Sequence, residues 1–319
     1  MRVEILNFLK KTGSYVSGEE LAQKLGLTRQ AFWKHIQDLR GLGYEISAVP
    51  HLGYRLIKIP DRLYPWELAY RLNTKFVAKK TLYYKNVAST MDIAWELAKK
   101  GFPEGTLVCA ESQRRGRGRL GRVWLSPYLK GLYFSIILRP KISPFKIGLI
   151  SLLSSIGIVE GIKRDFDLPL SIKWPNDILA KERKLAGILM ELDAEQDRIN
   201  FVIVGIGLNV NTSKKEIPPE ATSLYLLLNK RIDRVKVFKN ILEEIERTYL
   251  SFQEEGENFI ISNWRRLSYL YGGRVKVILP NREIVEGRVL DIDQDGALLL
   301  RKDEGIVERI LSGDVEKIV

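Results

Sequence analysis

The sequence predicts a multidomain α+β protein: a helix-turn-helix with a two-stranded wing, then a central α/β domain, then a small β-barrel. Three observations predict it. Helical periodicity broken by caps and turns fills the first forty residues. Apolar strand-like runs interleave with helical ones through the middle. From residue 271 short strands recur at even spacing between turn residues. The boundaries fall at 1–60, 65–270 and 271–319.

At the front, Val3, Ile5, Leu6 and Leu9 repeat at helical spacing. Ser17-Gly-Glu-Glu20 is a capping box that opens a second helix through Leu21 and Leu25, and Gly26 stops it. Thr28 caps a third helix with Phe32, Ile36 and Leu39 on its buried side. Its other side presents Arg29, Gln30, Trp33, Lys34, Gln37 and Arg40. Arginine and glutamine there can reach guanine and adenine edges in a major groove. Residues 1–60 carry nine Lys/Arg against five Asp/Glu, so this face suits operator DNA, the alternative being a solvated protein-interaction module. Tyr44 to Ser47 and Tyr54 to Ile57, bent at Pro50 and Gly53, form the wing. Ile59 to Pro65 is the linker, and Trp66 to Leu72 begins an amphipathic helix.

The central domain carries strands at Thr81–Tyr84, Gly105–Ala110, Leu132–Leu138, Leu170–Lys173 and Phe201–Val210. Helices are expected at Met91–Lys100, behind a Ser89-Thr90 cap, and at Ile147–Arg164, a core element. Between Arg114 and Arg122 five arginines and three glycines occupy nine residues with no acid among them. Unpaired arginine is almost never buried, and such glycine content spoils helix and strand alike. The segment is therefore a loop, and flanking strands place it inside a folded domain. Arginine supplies charged forks for carboxylate or phosphate, while glycine lets backbone N–H groups approach. Such a loop suits closure over an anion. Further on, Asn176 and Asp177 offer hard oxygens after the turn set by Pro175, suited to magnesium held with a triphosphate. An ordinary Asn-Asp turn is the plainer alternative, and the nearby Lys184 favours the site.

The composition narrows the chemistry. Cys109 is the one cysteine and lies in an apolar run, which suits an inert core role and a reducing cytoplasm. His35 and His51 both fall in the first sixty residues, leaving the rest without His/Cys metal sites or histidine-based nucleophile systems. The net charge of +12 implies an acidic partner: nucleic acid, nucleotide or protein. No run approaches the roughly 18 apolar residues of a membrane span, and the opening Met-Arg-Val-Glu does not read as a signal peptide. No membrane association is expected.

Taken in order, Ser89-Thr90, Gly116-Arg-Gly-Arg-Leu-Gly-Arg-Val-Trp124, Lys173-Trp-Pro-Asn-Asp177, Lys184-Leu-Ala-Gly-Ile-Leu189 and Gly205-Ile-Gly-Leu-Asn-Val210 resemble the biotin protein ligases. With the N-terminal module, the chain resembles the two-function type that is both ligase and biotin-operon repressor. The resemblance implies a mixed central sheet and a C-terminal barrel beside the active site. It implies a biotin site of Ser89, Thr90, Met91, Gln113, Arg117, Gly118, Arg119, Lys184 and Gly187, with Met91 standing where better-known members carry asparagine. It implies an ATP site of Lys173, Asn176, Asp177, Asn209 and Trp124, with magnesium at Asp177. In that picture Arg117 and Arg119 fold over the mixed anhydride, Lys184 stabilises charge across carboxylate and α-phosphate, and Asp177 could take a proton from the acceptor lysine. The implied partners are the biotin carboxyl carrier protein of acetyl-CoA carboxylase, operator DNA, and a second subunit recruited by biotinyl-AMP. Activating a carboxylate with ATP needs no protein nucleophile, because the acid is already ionised at neutral pH. That agrees with the lack of one here. The alternatives are a regulator that senses the adenylate without transferring it, and a ligase of a related acid such as lipoate.

Overall fold

A computed structural model describes residues 1–318, which fall into two compact units divided between Arg62 and Leu63. In the first unit, α1 (Arg2–Thr12), α2 (Gly18–Lys24) and α3 (Arg29–Gly41) precede the antiparallel pair β1 (Glu45–Val49) and β2 (Gly53–Lys58). Ser17 Oγ accepts the Glu20 N–H at 3.4 Å and Thr28 Oγ1 accepts that of Ala31 at 3.2 Å, so hydroxyls start both later helices. Ile5, Leu6, Leu9, Leu21, Phe32, Ile36 and Leu39 close the core. Val16 and Tyr54 exchange two backbone hydrogen bonds, which ties the wing to the chain ahead of α2. Only glycine fits at position 53, because its φ is +96° and a Cβ would lie 1.9 Å from the Val16 carbonyl oxygen. Arg40 departs from the expected exposed face. Its guanidinium folds back to donate to the Ile46 carbonyl at 2.7 and 3.2 Å, pinning α3 to the wing.

The second unit opens with α4 (Pro65–Ala69), shorter than the helix expected to Leu72: Tyr70 is extended and Arg71 has φ 59°. There follow β3 (Thr81–Tyr84), α5 (Thr90–Lys99), β4 (Leu107–Ala110), β5 (Gly131–Leu138), α6 (Ile147–Lys163), β6 (Leu170–Lys173), β7 (Asp177–Ala180), β8 (Arg183–Ala194) and β9 (Ile199–Asn209). Their seven strands form a mixed sheet in the order β3-β4-β5-β9-β8-β7-β6, with only β3–β4 parallel. Alternate residues face opposite sides. Leu107 and Cys109 join the large core beneath α6, whereas Val108 joins Met91, Ala94 and Ala98 of α5. After α7 (Leu224–Leu228) come two helices, α8 (Arg234–Glu255) and α9 (Glu257–Leu267), broken at Gly256. Gly157 and Gly161 let α6 meet α8 closely, since a Cβ at either would sit 2.7 Å from the α8 backbone.

Two expectations need correction. The stretch Pro144–Lys163 is long and apolar enough by length and composition to cross a membrane, although 72% of it is buried inside the molecule as a core helix would be. The C-terminal strands β10 (Arg274–Ile278), β11 (Ile284–Ile292), β12 (Leu298–Arg301), β13 (Val307–Ile310) and β14 (Asp314–Lys317) form an antiparallel sheet in the order β13-β12-β11-β10-β14. The last strand was not expected. With the four-residue β13 and β14 on opposite edges and not bonded to each other, the sheet stays open where a closed barrel was expected. The buried Trp174 indole donates to the Gly296 carbonyl at 2.9 Å, fastening this sheet to the central one. A fully buried ion pair, Arg234 with Glu111 at 2.9 Å, completes the interior. Arg234 also donates to the Gly131 carbonyl, and Glu111 accepts from the Leu63 N–H and the Tyr83 hydroxyl.

Candidate active site

One cavity of about 630 Å³ opens over the β9-β8-β7 side of the central sheet, and all fourteen residues expected to bind biotin or ATP line it. Its floor is cut by glycines. A Cβ on Gly207 would lie 2.3 Å from the Trp124 indole, one on Gly205 2.6 Å from Met91 Sδ, and one on Gly187 3.2 Å from both Lys184 and Trp124. The bare strands therefore let the Trp124 indole and the Met91 side chain lie directly against the backbone.

At one end Ser89 caps α5 by accepting the Met91 N–H at 3.2 Å. Thr90 lies in a buried chain: its hydroxyl is 2.8 Å from Ser135 Oγ, and its N–H donates at 2.9 Å to the Gln113 amide oxygen. The Gln113 amide nitrogen in turn donates to Ser126 Oγ at 3.1 Å. Gln113 thus positions the helix start, and Ser135 and Ser126 are site residues that nothing local in the sequence distinguishes. Met91 lines the cavity, and its side chain packs with Ala94 and Ala98, the sulfur lying against Gly205 of the floor.

The arginine-glycine segment is a hairpin. Gly118 N–H meets the Arg122 carbonyl at 2.7 Å, Trp124 N–H meets that of Gly116 at 2.9 Å, and Leu120 turns the tip at φ 55°. Its arginines anchor it to acids distant in sequence. Arg117 bridges Asp92 and Glu191, and Arg122 pairs with Asp314 of β14. Arg119 donates to Asn176 Oδ1 at 3.2 Å and to the Gly313 carbonyl at 3.3 Å. Burial lowers the Arg119 pKa against the pull of Asp314 and Asp177. Asn176 also donates to the Ile188 carbonyl at 2.8 Å, so both ends of its amide are engaged.

Lys184 stands at the start of β8, with Nζ 2.8 Å from Asp177 Oδ1 and 5.6 Å from the Trp124 ring centroid. The pair is close but not aligned as a hydrogen bond, which leaves Asp177 Oδ1 buried without one. Trp124 Nε1 is likewise buried and unpartnered. Asp177, β7's first residue, pairs across strands with Lys173, which has no ion pair or side-chain hydrogen bond among the described residues. Asn209 is buried and donates to the Thr222 carbonyl at 3.1 Å. No cluster of three His, Cys, Asp or Glu suited to a metal occurs among the described residues. A lone carboxylate with a free oxygen nevertheless fits magnesium, which takes one or two carboxylates plus substrate phosphates. In the separate N-terminal unit, Arg29, Gln30, Trp33 and Lys34 of α3 are exposed and Gln37 is half-buried, with Trp33 at 55%.

A mixed sheet of this order, an arginine-glycine hairpin over a glycine-floored cavity and a lysine–aspartate pair inside it define the class: the chain belongs to the biotin protein ligase family. The model of the biotin/lipoate A/B protein ligase family matches residues 83–209, a helix-turn-helix domain matches 2–55, and the biotin protein ligase C-terminal domain matches 271–317. Over 99% of this chain and 98% of the relative, it is 39% identical to the bifunctional ligase/repressor BirA of Bacillus subtilis. The bifunctional ligase/repressor BirA of Escherichia coli is 31% identical over 96% of this chain and 94% of its own. Among solved structures, the biotin protein ligase from Aquifex aeolicus in complex with biotin and ATP superposes with a TM-score of 0.61 at 32% identity, covering 75% of this chain and 99% of that one.

Proposed function

We propose that this chain joins biotin to ATP, makes biotinyl-5′-AMP with release of pyrophosphate, and passes the biotinyl group to a lysine of a biotin carboxyl carrier domain. The observation that carries this reading is the convergence in one cavity of Lys184, Asp177, Lys173 and the arginine-glycine hairpin. In the first step the biotin carboxylate attacks the α-phosphorus, and the barrier is repulsion between two anions. Lys184 neutralises charge across the forming bond, and Arg119, bonded to Asn176, keeps the hairpin closed over the mixed anhydride. Lys173 holds phosphate oxygens. Asp177 would hold magnesium, which when bound would supply neutralising charge to the triphosphate. The glycine floor admits the flat rings, with Ser89 and Thr90 toward the biotin ureido group, Trp124 beside the nucleotide and Asn209 at the adenine. In the second step the neutral lysine amine attacks the acyl carbon and AMP leaves; Asp177 is placed to accept the amine's proton. The experiment is incubation with ATP, magnesium, biotin and a carrier domain, followed by intact mass. A carrier heavier by one biotinyl group is expected, and an unchanged mass would overturn the reading.

The N-terminal unit makes the same chain a repressor. Arg29, Gln30, Trp33, Lys34 and Gln37 are the operator-facing residues, and one such module binds weakly alone, so two must act together. The free edge of β8 supports a dimer: Leu189 to Ala194 pair with β9 alone, because β7 begins only at Asp177, opposite Gly187. Biotinyl-AMP under the hairpin would favour that pairing.

A further inference from the structure

The hairpin has an outer face as well as an inner one. Arg114 and Arg115 lie between Gln113 and Arg117, which both line the cavity, so they stand on its outer lip. Their backbone N–H groups are held by the Val87 and Ala88 carbonyls at 2.9 Å, yet their exposed side chains form no ion pair or hydrogen bond among the described residues. The other arginines of the hairpin behave differently, each engaging an acid or a carbonyl of its own chain. Lys85, also exposed and unpaired, lies on the neighbouring segment, because Val87 bridges Gln113 in parallel register. Three free cations therefore share one lip. Further along the same hairpin two large aliphatic side chains are exposed, Leu120 at 64% on the tip and Val123 at 75% on the cavity rim. Exposed aliphatics on a segment this polar mark a surface that a partner covers.

We infer that this lip and the hairpin tip form the docking surface for the acceptor protein, which would present an acidic and apolar face around its target lysine. The inference rests on the ligase reading above. The aliphatic pair selects protein over nucleic acid, since phosphate backbones reward cations and leave such side chains uncovered. Position selects the acceptor over other proteins, because the target lysine must reach a cavity whose rim this surface is. Free cations at the rim raise the rate of encounter with an acidic partner and make it salt-dependent.

The test uses the full chain with Arg114→Glu/Arg115→Glu and, separately, Leu120→Asn, which keeps the left-handed turn because asparagine tolerates it. KM for a carrier domain should rise about tenfold in the double variant and several-fold in L120N. Single-turnover pyrophosphate release and transfer to hydroxylamine should stay unchanged in both. Added salt should raise the wild-type acceptor KM and leave that of the double variant nearly flat. An unchanged acceptor KM would overturn the inference, as would a loss confined to operator binding, which would assign the lip to DNA, or to self-association, which would assign it to a second copy. Absence of adenylate formation in the wild-type chain would instead defeat the ligase reading itself.

Discussion

Lys184 and Arg119 are both cations over the same cavity, yet their surroundings assign them different work. Lys184 Nζ lies 2.8 Å from Asp177 and faces the cavity floor, so it acts where charge develops. Lys184→Ala should slow adenylate formation by roughly 10²–10³, the scale for a lost charge stabiliser. Arg119 ties the hairpin to Asn176 and Gly313, so Arg119→Ala should form adenylate at near-normal rate and release it to label bystander lysines. Single-turnover pyrophosphate release decides the matter: equal slowing in both variants would refute the division. Gly207 is a third test at this scale. A methyl there would meet Trp124 at 2.3 Å and push the indole from its seat. Gly207→Ala should raise KM for ATP about tenfold, roughly 1.4 kcal/mol, and change that for biotin much less. Steady-state kinetics with each substrate varied in turn would show it.

The elements that build the site are held from behind by charges the chemistry never uses. Glu111 follows β4 just before the arginine-glycine segment and is satisfied by Arg234, Leu63 and Tyr83 in full burial. Breaking such a pair strands the partner charge. Glu111→Gln should therefore cost about 3–5 kcal/mol of stability. The denaturant midpoint should fall, whereas an unchanged midpoint would mean the interior re-solvates the arginine. The mixed sheet is also responsible for the reach of β8, whose second half runs beyond β7 and leaves an edge free.

At the scale of the whole molecule, the proposed ligase and repressor readings together predict that one ligand acts at two places. The hairpin's glycines make it costly to hold still, and an anionic adenylate beneath Arg119 offsets that cost. Biotinyl-AMP should tighten self-association and operator binding together, because a dimer engages two half-sites at once. Arg29→Ala should weaken operator binding at fixed salt and leave ligation intact. Sedimentation and a DNA titration with and without the adenylate test this, and no shift in either would leave a ligase with an idle N-terminal unit.

The sequence alone was enough for whatever depends on neighbours along the chain. Helix caps at Ser17, Thr28 and Ser89 act within two or three residues, and the arginine-glycine run reads as a loop from its composition alone. The ordered motifs from Ser89 to Val210 brought together the cavity's expected lining for the same reason: each is a short segment whose residue types suit one job. Tertiary structure decided the pairings. Arg122 and Asp314 stand 192 positions apart, Glu111 and Arg234 123 apart, and Arg117 and Glu191 74 apart, so no local pattern could join them. It also decided that β14 exists and that the C-terminal sheet stays open. Strand pairing and burial depend on what the rest of the chain brings alongside, and a segment's own residues do not carry that information.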